Sequence, residues 1–261
     1  MTLDNIFNNE KEKPLDNLLD DGGYTAIFRT IACVGDSLAS GEFESLKEDG
    51  TSGYHDMFEY SWGQYIARMC TSKVYNFSRG GMTTKEYCDS FAEVKDFWNP
   101  DYAAQCYIIA LGVNDINGNR LELGTIDDID TENWKNNKEN FAGYYGQIIS
   151  RLKEIQPRAK FFLMSMPKSG NPEEDNGKRA GHRDLLCQMA EKFDNTYVID
   201  LLKYAPVYDD EFKNKFFMRG HMNPMGYLLT AKMVASYIDY IIRHNMDDFK
   251  EVGFIGTDLH S

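Results

Sequence analysis

Two short signatures are missing from this chain, and each absence speaks against a class of function. The first apolar strand is not followed by G-x-G-x-x-G, and no G-x-x-x-x-G-K-S/T loop occurs, so neither common nucleotide cradle is present. No apolar run reaches about eighteen residues, the length a helix needs to span a bilayer. Met1 to Glu10 has no basic stretch leading into an apolar one, so no secretory leader is expected. Positive charge is scarce, with 28 Lys and Arg against 41 Asp and Glu and a net charge of -13. A phosphate backbone or an anionic membrane surface needs clustered positive charge, so neither nucleic acid nor membrane is expected as a partner. The five cysteines are odd in number, scattered, and contain no C-x-x-C pair. That pattern fits neither a disulfide framework nor a zinc site; it predicts reduced thiols and a cytoplasmic location.

What is present is an alternation of strand and helix patterns without internal repeats. Apolar, β-rich runs cover Thr30 to Val34, Lys73 to Phe77, Gln105 to Leu111, Ala159 to Met166 and Thr196 to Leu201. Helical spacing fills the gaps over Trp62 to Thr71, Thr84 to Trp98, Lys138 to Ile155 and Lys178 to Phe193, and a last helix runs from Pro224 to about His244. Asn223 and Pro224 read as its N-cap and first-turn proline. Strands alternating with helices imply a parallel sheet covered on both faces. The expected layout is an extension over 1–29, one domain over 30–245 and a tail over 246–261. Within the extension a short helix is predicted from Pro14, stopped by Gly22-Gly23. Glu42 to Tyr60 and Ile116 to Asn137 read as loops walling a ligand crevice at the carboxyl ends of the strands. Cys33 and Cys106 fall in core strands, where a thiol acts as a small hydrophobe.

Four short blocks follow in order. The first strand ends in Gly35-Asp36-Ser37-Leu38; the second leads into Asn76-Phe77-Ser78-Arg79-Gly80-Gly81-Met82-Thr83; the third into Gly112-Val113-Asn114-Asp115. The last is Gly220-His221-Met222-Asn223-Pro224-Met225-Gly226-Tyr227. A hydroxyl at a strand tip and an imidazole entering a helix are the alcohol and base of nucleophilic acyl transfer. In these blocks the sequence resembles the SGNH, or GDSL, hydrolases from about Thr30 to about Asn245. The resemblance implies a three-layer α/β/α sandwich on a five-stranded parallel sheet of flavodoxin-like order. It also implies Ser37 as nucleophile, His221 as base, and an oxyanion hole made by the Ser37 amide, a glycine amide and the Asn114 side chain. Alignment places that glycine at Gly81, with Gly80 as the alternative. Ser37 is not in a G-x-S-x-G elbow, since Ala39 stands two positions on. A serine there also suits a helix N-cap. Asp36 and Asp115 read as loop anchors. The other histidines, His55, His182, His244 and His260, lie in polar surroundings and are expected to be exposed.

The chain departs from the family at Met218, where an aspartate three residues before the histidine is usual. A backbone carbonyl near Met218, or a displaced carboxylate with Asp209, Asp210 and Glu211 nearest upstream, could hold the imidazole; a weakly active protein is the third reading. Tyr54, Phe58, Tyr60 and Trp62 suit either an aromatic wall or plain packing, and Arg79 and Arg219 either a substrate carboxylate or surface acids. The expected function is hydrolysis of a carboxylic ester, without metal or organic cofactor. The expected partner is a small-molecule ester, with an acylated sugar and carbohydrate O-deacetylation as the specific form. A ligand-binding protein on the same scaffold is the alternative. Oligomeric state is not readable.

Overall fold

Strand-forming runs and their order set this architecture, seen in a computed structural model that describes residues 11–260. The strands are β1 (Thr30–Gly35), β2 (Glu42–Leu46), β3 (Ser52–Asp56), β4 (Lys73–Ser78), β5 (Cys106–Ala110), β6 (Lys160–Met164), β7 (Thr196–Ile199), β8 (Phe217–Met218) and β9 (His221–Met222). Five of them form one parallel sheet in the order β4-β1-β5-β6-β7. Counting only those five, this is the expected flavodoxin-like order, with β1 flanked by the strands that follow it. The chain therefore winds away from β1 in both directions, and a crevice opens at the carboxyl ends there. Register puts Gly35 beside Ser78 on one side and Ala110 on the other. The three blocks after these strands thus leave the sheet side by side.

Alternate residues of each buried strand feed two cores. Ala32, Val34, Tyr107, Ile109, Phe161 and Leu163 pack under helices Phe141–Ile155 and Ala180–Lys192. Ile31, Cys33, Cys106, Ile108 and Phe162 pack under helices Trp62–Cys70 and Pro224–His244. The Cys33 and Cys106 thiols are pushed up by burial. Asn223 caps the last helix, accepting from Gly226 N–H, and Pro224 occupies its first turn.

Several local expectations change. No helix starts at Pro14; a 3₁₀ turn runs instead over Gly23–Ile27, with both Gly22 and Gly23 at positive φ. This segment is fixed by the last helix rather than by its own propensity. Leu19 N–H donates to Ser236 Oγ, Tyr24 N–H to Asp239 Oδ1, and Thr25 Oγ to Ala235 O. Residues 1–10 of the sequence extension, including the segment read for a leader, lie outside the described residues. The Thr84 to Trp98 stretch is broken by a π-turn over Tyr87–Phe91, where both rings enter a cluster with Phe97. Asn140 caps a helix that starts at Phe141 rather than Lys138. Glu42 to Tyr60 is not a loop, because β2 and β3 form an antiparallel hairpin. At the other end Phe249, Val252 and Ile255 are buried in the core beneath the last helix. Among the described residues no helix is long and apolar enough to cross a membrane.

Candidate active site

The first block turns sharply because Gly35 has no side chain: a Cβ there would come within 2.5 Å of Ala39 Cβ. Asp36, not Ser37, is the N-cap of the short helix Ser37–Ser40, accepting from Leu38 N–H at 3.1 Å. Ser37 is therefore free of the capping role. Burial first, then the Asp115 and Glu42 carboxylates, push the Asp36 carboxyl up to about 7 against the Leu38 N–H bond.

The second and third blocks are tied to the first. Asn114 Nδ2 donates to Met82 O at 3.0 Å and lies 3.5 Å from Asp36 Oδ2. One amide hydrogen is thus anchored, while the other has only a long contact. Gly81 sits at φ +71°, a conformation glycine adopts without steric cost, with open space where a Cβ would be. Among the described residues neither the Ser37 nor the Gly81 backbone N–H donates to another protein group. Gly80 is different, since a Cβ there would collide with Glu42 Oε2. Asp115 anchors its loop by accepting from both Thr84 N–H and Thr84 Oγ.

His221 is presented by a tight hairpin. β8 and β9 pair with Met218 opposite His221, turning through Arg219 at φ +60° and Gly220. The short Ser37–Ser40 helix packs against β9. Among the described residues His221 and Ser37 share no hydrogen bond. The ring lies instead between two glutamates of β2: Nε2 is 3.0 Å from Glu42 Oε1, and Nδ1 is 3.7 Å from Glu44 Oε2. Burial pushes Glu42 up, against the pull of His221. The Gly220 N–H and the Ser52 hydroxyl hold Glu44 below its usual range. Tyr54 stands edge-on to the imidazole at 5.8 Å.

These glutamates were not read from the sequence as site residues. The upstream acids that were named do other work: Asp209 caps Phe212 N–H, and Glu211 pairs with Lys215. Of the aromatics, Trp62 is fully buried, Tyr60 packs edge-on to Phe43, and Tyr54 is 59 % exposed beside the base. Arg79 pairs with Glu86. His182 corrects an expectation, being fully buried with its Nε2 against Leu111 O. Burial pushes this imidazole down to about 4.

Next to the site is a cavity of about 230 Å³. Asp36 and Leu38 on either side of Ser37, Val113 before Asn114, and Gly220 and Met222 around His221 all border it. Its lining is mainly apolar, with Leu111, Met164, Met166, Leu201, Tyr208 and Phe217, and also includes Arg179 and Lys213. Contrary to expectation, neither Glu42 to Tyr60 nor Ile116 to Asn137 lines it, because the hairpin is drawn over His221 instead.

A family model described as GDSL-like Lipase/Acylhydrolase matches residues 33–229. Among solved structures, a family two carbohydrate esterase from Clostridium thermocellum in complex with cellohexaose is 14 % identical, with a TM-score of 0.57. That match covers 84 % of this chain and 65 % of the other, so the chain spans about two thirds of that relative's length. The Clostridium thermocellum family 3 carbohydrate esterase is 16 % identical over 82 % of this chain and 97 % of its own, at a TM-score of 0.53. A Lactobacillus plantarum protein is 15 % identical over 81 % and 97 %, at a TM-score of 0.58. At these identities the structural likeness is one of fold. No curated protein matches the chain.

Proposed function

The chain belongs to the GDSL-like lipase/acylhydrolase family of ester hydrolases, and on that premise we propose that it cleaves carboxylic esters through an acyl-enzyme on Ser37. In the proposed reaction His221 Nε2 takes the Ser37 proton as Oγ attacks the ester carbonyl carbon. The oxyanion receives hydrogen bonds from the Ser37 and Gly81 amides and from the unanchored hydrogen of Asn114 Nδ2. His221 then hands its proton to the departing alcohol. Water, deprotonated by the same ring, releases the acid and restores Ser37.

The observation that carries this reading is the Asn114 side chain, whose amide bridges the second block at Met82 and approaches the first at Asp36. These contacts tie the third block to the other two, while the Ser37 and Gly81 N–H groups donate to no other protein group among the described residues, which supports the oxyanion-hole reading.

For the alcohol part we propose a sugar, making the protein a carbohydrate O-deacetylase. Supporting this are the likeness to carbohydrate esterases and the exposed Tyr54 ring beside His221, which offers a flat apolar face with a polar tip. A second reading, favoured by the apolar cavity bordering Ser37, is an ester with a longer acyl chain, since about 230 Å³ exceeds what an acetyl group fills.

Fluorophosphonate labelling, with Ser37→Ala as control, tests the nucleophile; esters of increasing acyl length alongside acetylated sugars test the substrate. Labelling that persists in Ser37→Ala would reject Ser37. Neither labelling nor turnover on any ester would favour a ligand-binding protein.

A further inference from the structure

The position three residues before His221 holds Met218, so no acid on the same loop sets the orientation of the ring. The hairpin β2–β3 reaches over from the other side of the chain and brings two carboxylates to it. They differ in which edge of the ring they meet. Glu42 lies at Nε2, and its second oxygen sits against the backbone of Gly80. The Nε2 edge therefore looks toward Glu42 and, through it, toward the glycine block. The Nδ1 edge looks the other way, toward Glu44.

Around Nδ1 the geometry is that of a receptor missing one short movement. This nitrogen is buried and has no hydrogen-bond partner. Glu44 Oε2, 3.7 Å away, already accepts the N–H of Gly220, the residue preceding the histidine, at 2.9 Å. Its other oxygen accepts from Ser52 Oγ at 2.8 Å. Both oxygens are thus oriented before the ring is engaged. Gly220 permits the approach, since a Cβ there would already stand 2.9 Å from the carboxylate.

We propose that Glu44 is the positioning residue of the Ser37–His221 pair, accepting Nδ1–H and so holding the imidazole in the tautomer whose Nε2 carries no proton and can act as the base. An approach of about 1 Å converts the present contact into a charge-assisted hydrogen bond. The inference rests on the Ser37–His221 reading of the site. A carboxylate in this relation sets tautomer and orientation and stabilises the imidazolium that forms during attack. It arrives here from a hairpin near the amino terminus rather than from the histidine's own loop.

Three variants and one spectroscopic signal test it. Glu44→Gln retains the side chain's size and its acceptor for Gly220 but removes the charge. Its kcat on an ester should fall by about 100-fold or more, with KM within about threefold of the unsubstituted protein. Met218→Asp places an acid opposite His221 in the β8–β9 register, where cross-strand side chains share a face. Added to Glu44→Gln, it should restore kcat by at least about tenfold, which a merely structural loss would not allow. A downfield proton resonance of His221 Nδ1–H should be present in the unsubstituted protein and in Ser37→Ala, and absent in Glu44→Gln. This readout needs no turnover, so it reports on Glu44 even where the proposed reaction fails. The proposal is overturned by kcat of Glu44→Gln within about threefold of the unsubstituted protein, by no recovery in the double variant, or by an unchanged resonance in Glu44→Gln.

Discussion

His221 Nε2 lies 3.0 Å from Glu42 Oε1, so the ring atom that a serine nucleophile needs is occupied by a carboxylate. A carboxylate at that distance favours a proton on the nitrogen facing it. Glu42 thus favours the Nε2–H tautomer, whereas an acceptor at Nδ1 favours the one in which Nε2 can act as a base. Glu42 also puts negative charge beside Gly80, close to where an oxyanion would form.

Neutralising Glu42 should therefore raise reactivity. Glu42→Gln should react with a fluorophosphonate at least about threefold faster than the unsubstituted protein, and kcat should move in the same direction. A slower rate would mean that Glu42 supports the base instead of competing for it.

Asn114→Ala should lower kcat by about 100-fold with little change in KM, because its second amide hydrogen meets charge that develops only in the transition state. Steady-state kinetics on one ester separates this from substrate binding. A change confined to KM would make Asn114 a binding residue. Loss of the bond to Met82 O should also cost about 1 kcal/mol of stability in denaturant unfolding.

The cavity beside Ser37 can be filled from its β6 wall. Met164→Trp should reduce kcat/KM for longer acyl esters by about tenfold or more and leave acetyl esters within about threefold. Equal losses across the series would mean that the acyl group lies elsewhere.

Acid should destabilise the protein through His182. The folded state keeps this ring neutral down to about 4, while the unfolded chain takes up its proton near the ordinary value of 6.5. Between those values the unfolded state binds more protons, so stability falls as pH falls and is level above and below that window. The difference amounts to roughly 3 kcal/mol. Urea unfolding at about pH 7 and about pH 4.5 should show this loss in the unsubstituted protein and not in His182→Gln. Equal losses in both would place the acid sensitivity elsewhere.

The sheet was legible because strands buried on both faces read as unbroken apolar runs, as Ile31 to Val34 and Cys106 to Ile109 do. The last helix announced itself through Asn223, Pro224 and its periodic apolar face. The hairpin β2–β3 gave no such run, because only Phe43 on β2 and Gly53 on β3 are buried. Its one local signal is Asp49-Gly50 between the strands, with Gly50 at φ +82°. His182 stands at helical spacing with Leu185, Leu186 and Met189, so its burial was readable as one apolar face. Glu42 and Glu44 were not, since Glu44 meets Gly220 across 176 residues of sequence. Asp209, Asp210 and Glu211 are near His221 in sequence and are bound into their own helix instead.

The backbone ladder of β2 and β3 is closed within those two strands and shares no rung with the five-stranded sheet. A ribbon of this kind can exchange side chains without shifting the register of any neighbour. Change at Glu42, Glu44 or Tyr54 therefore leaves untouched the register of the strands that lead to Ser37, Gly81 and Asn114. In such a chain the side chains that manage the proton can drift, or be redesigned, while the backbone that would hold the oxyanion keeps its register.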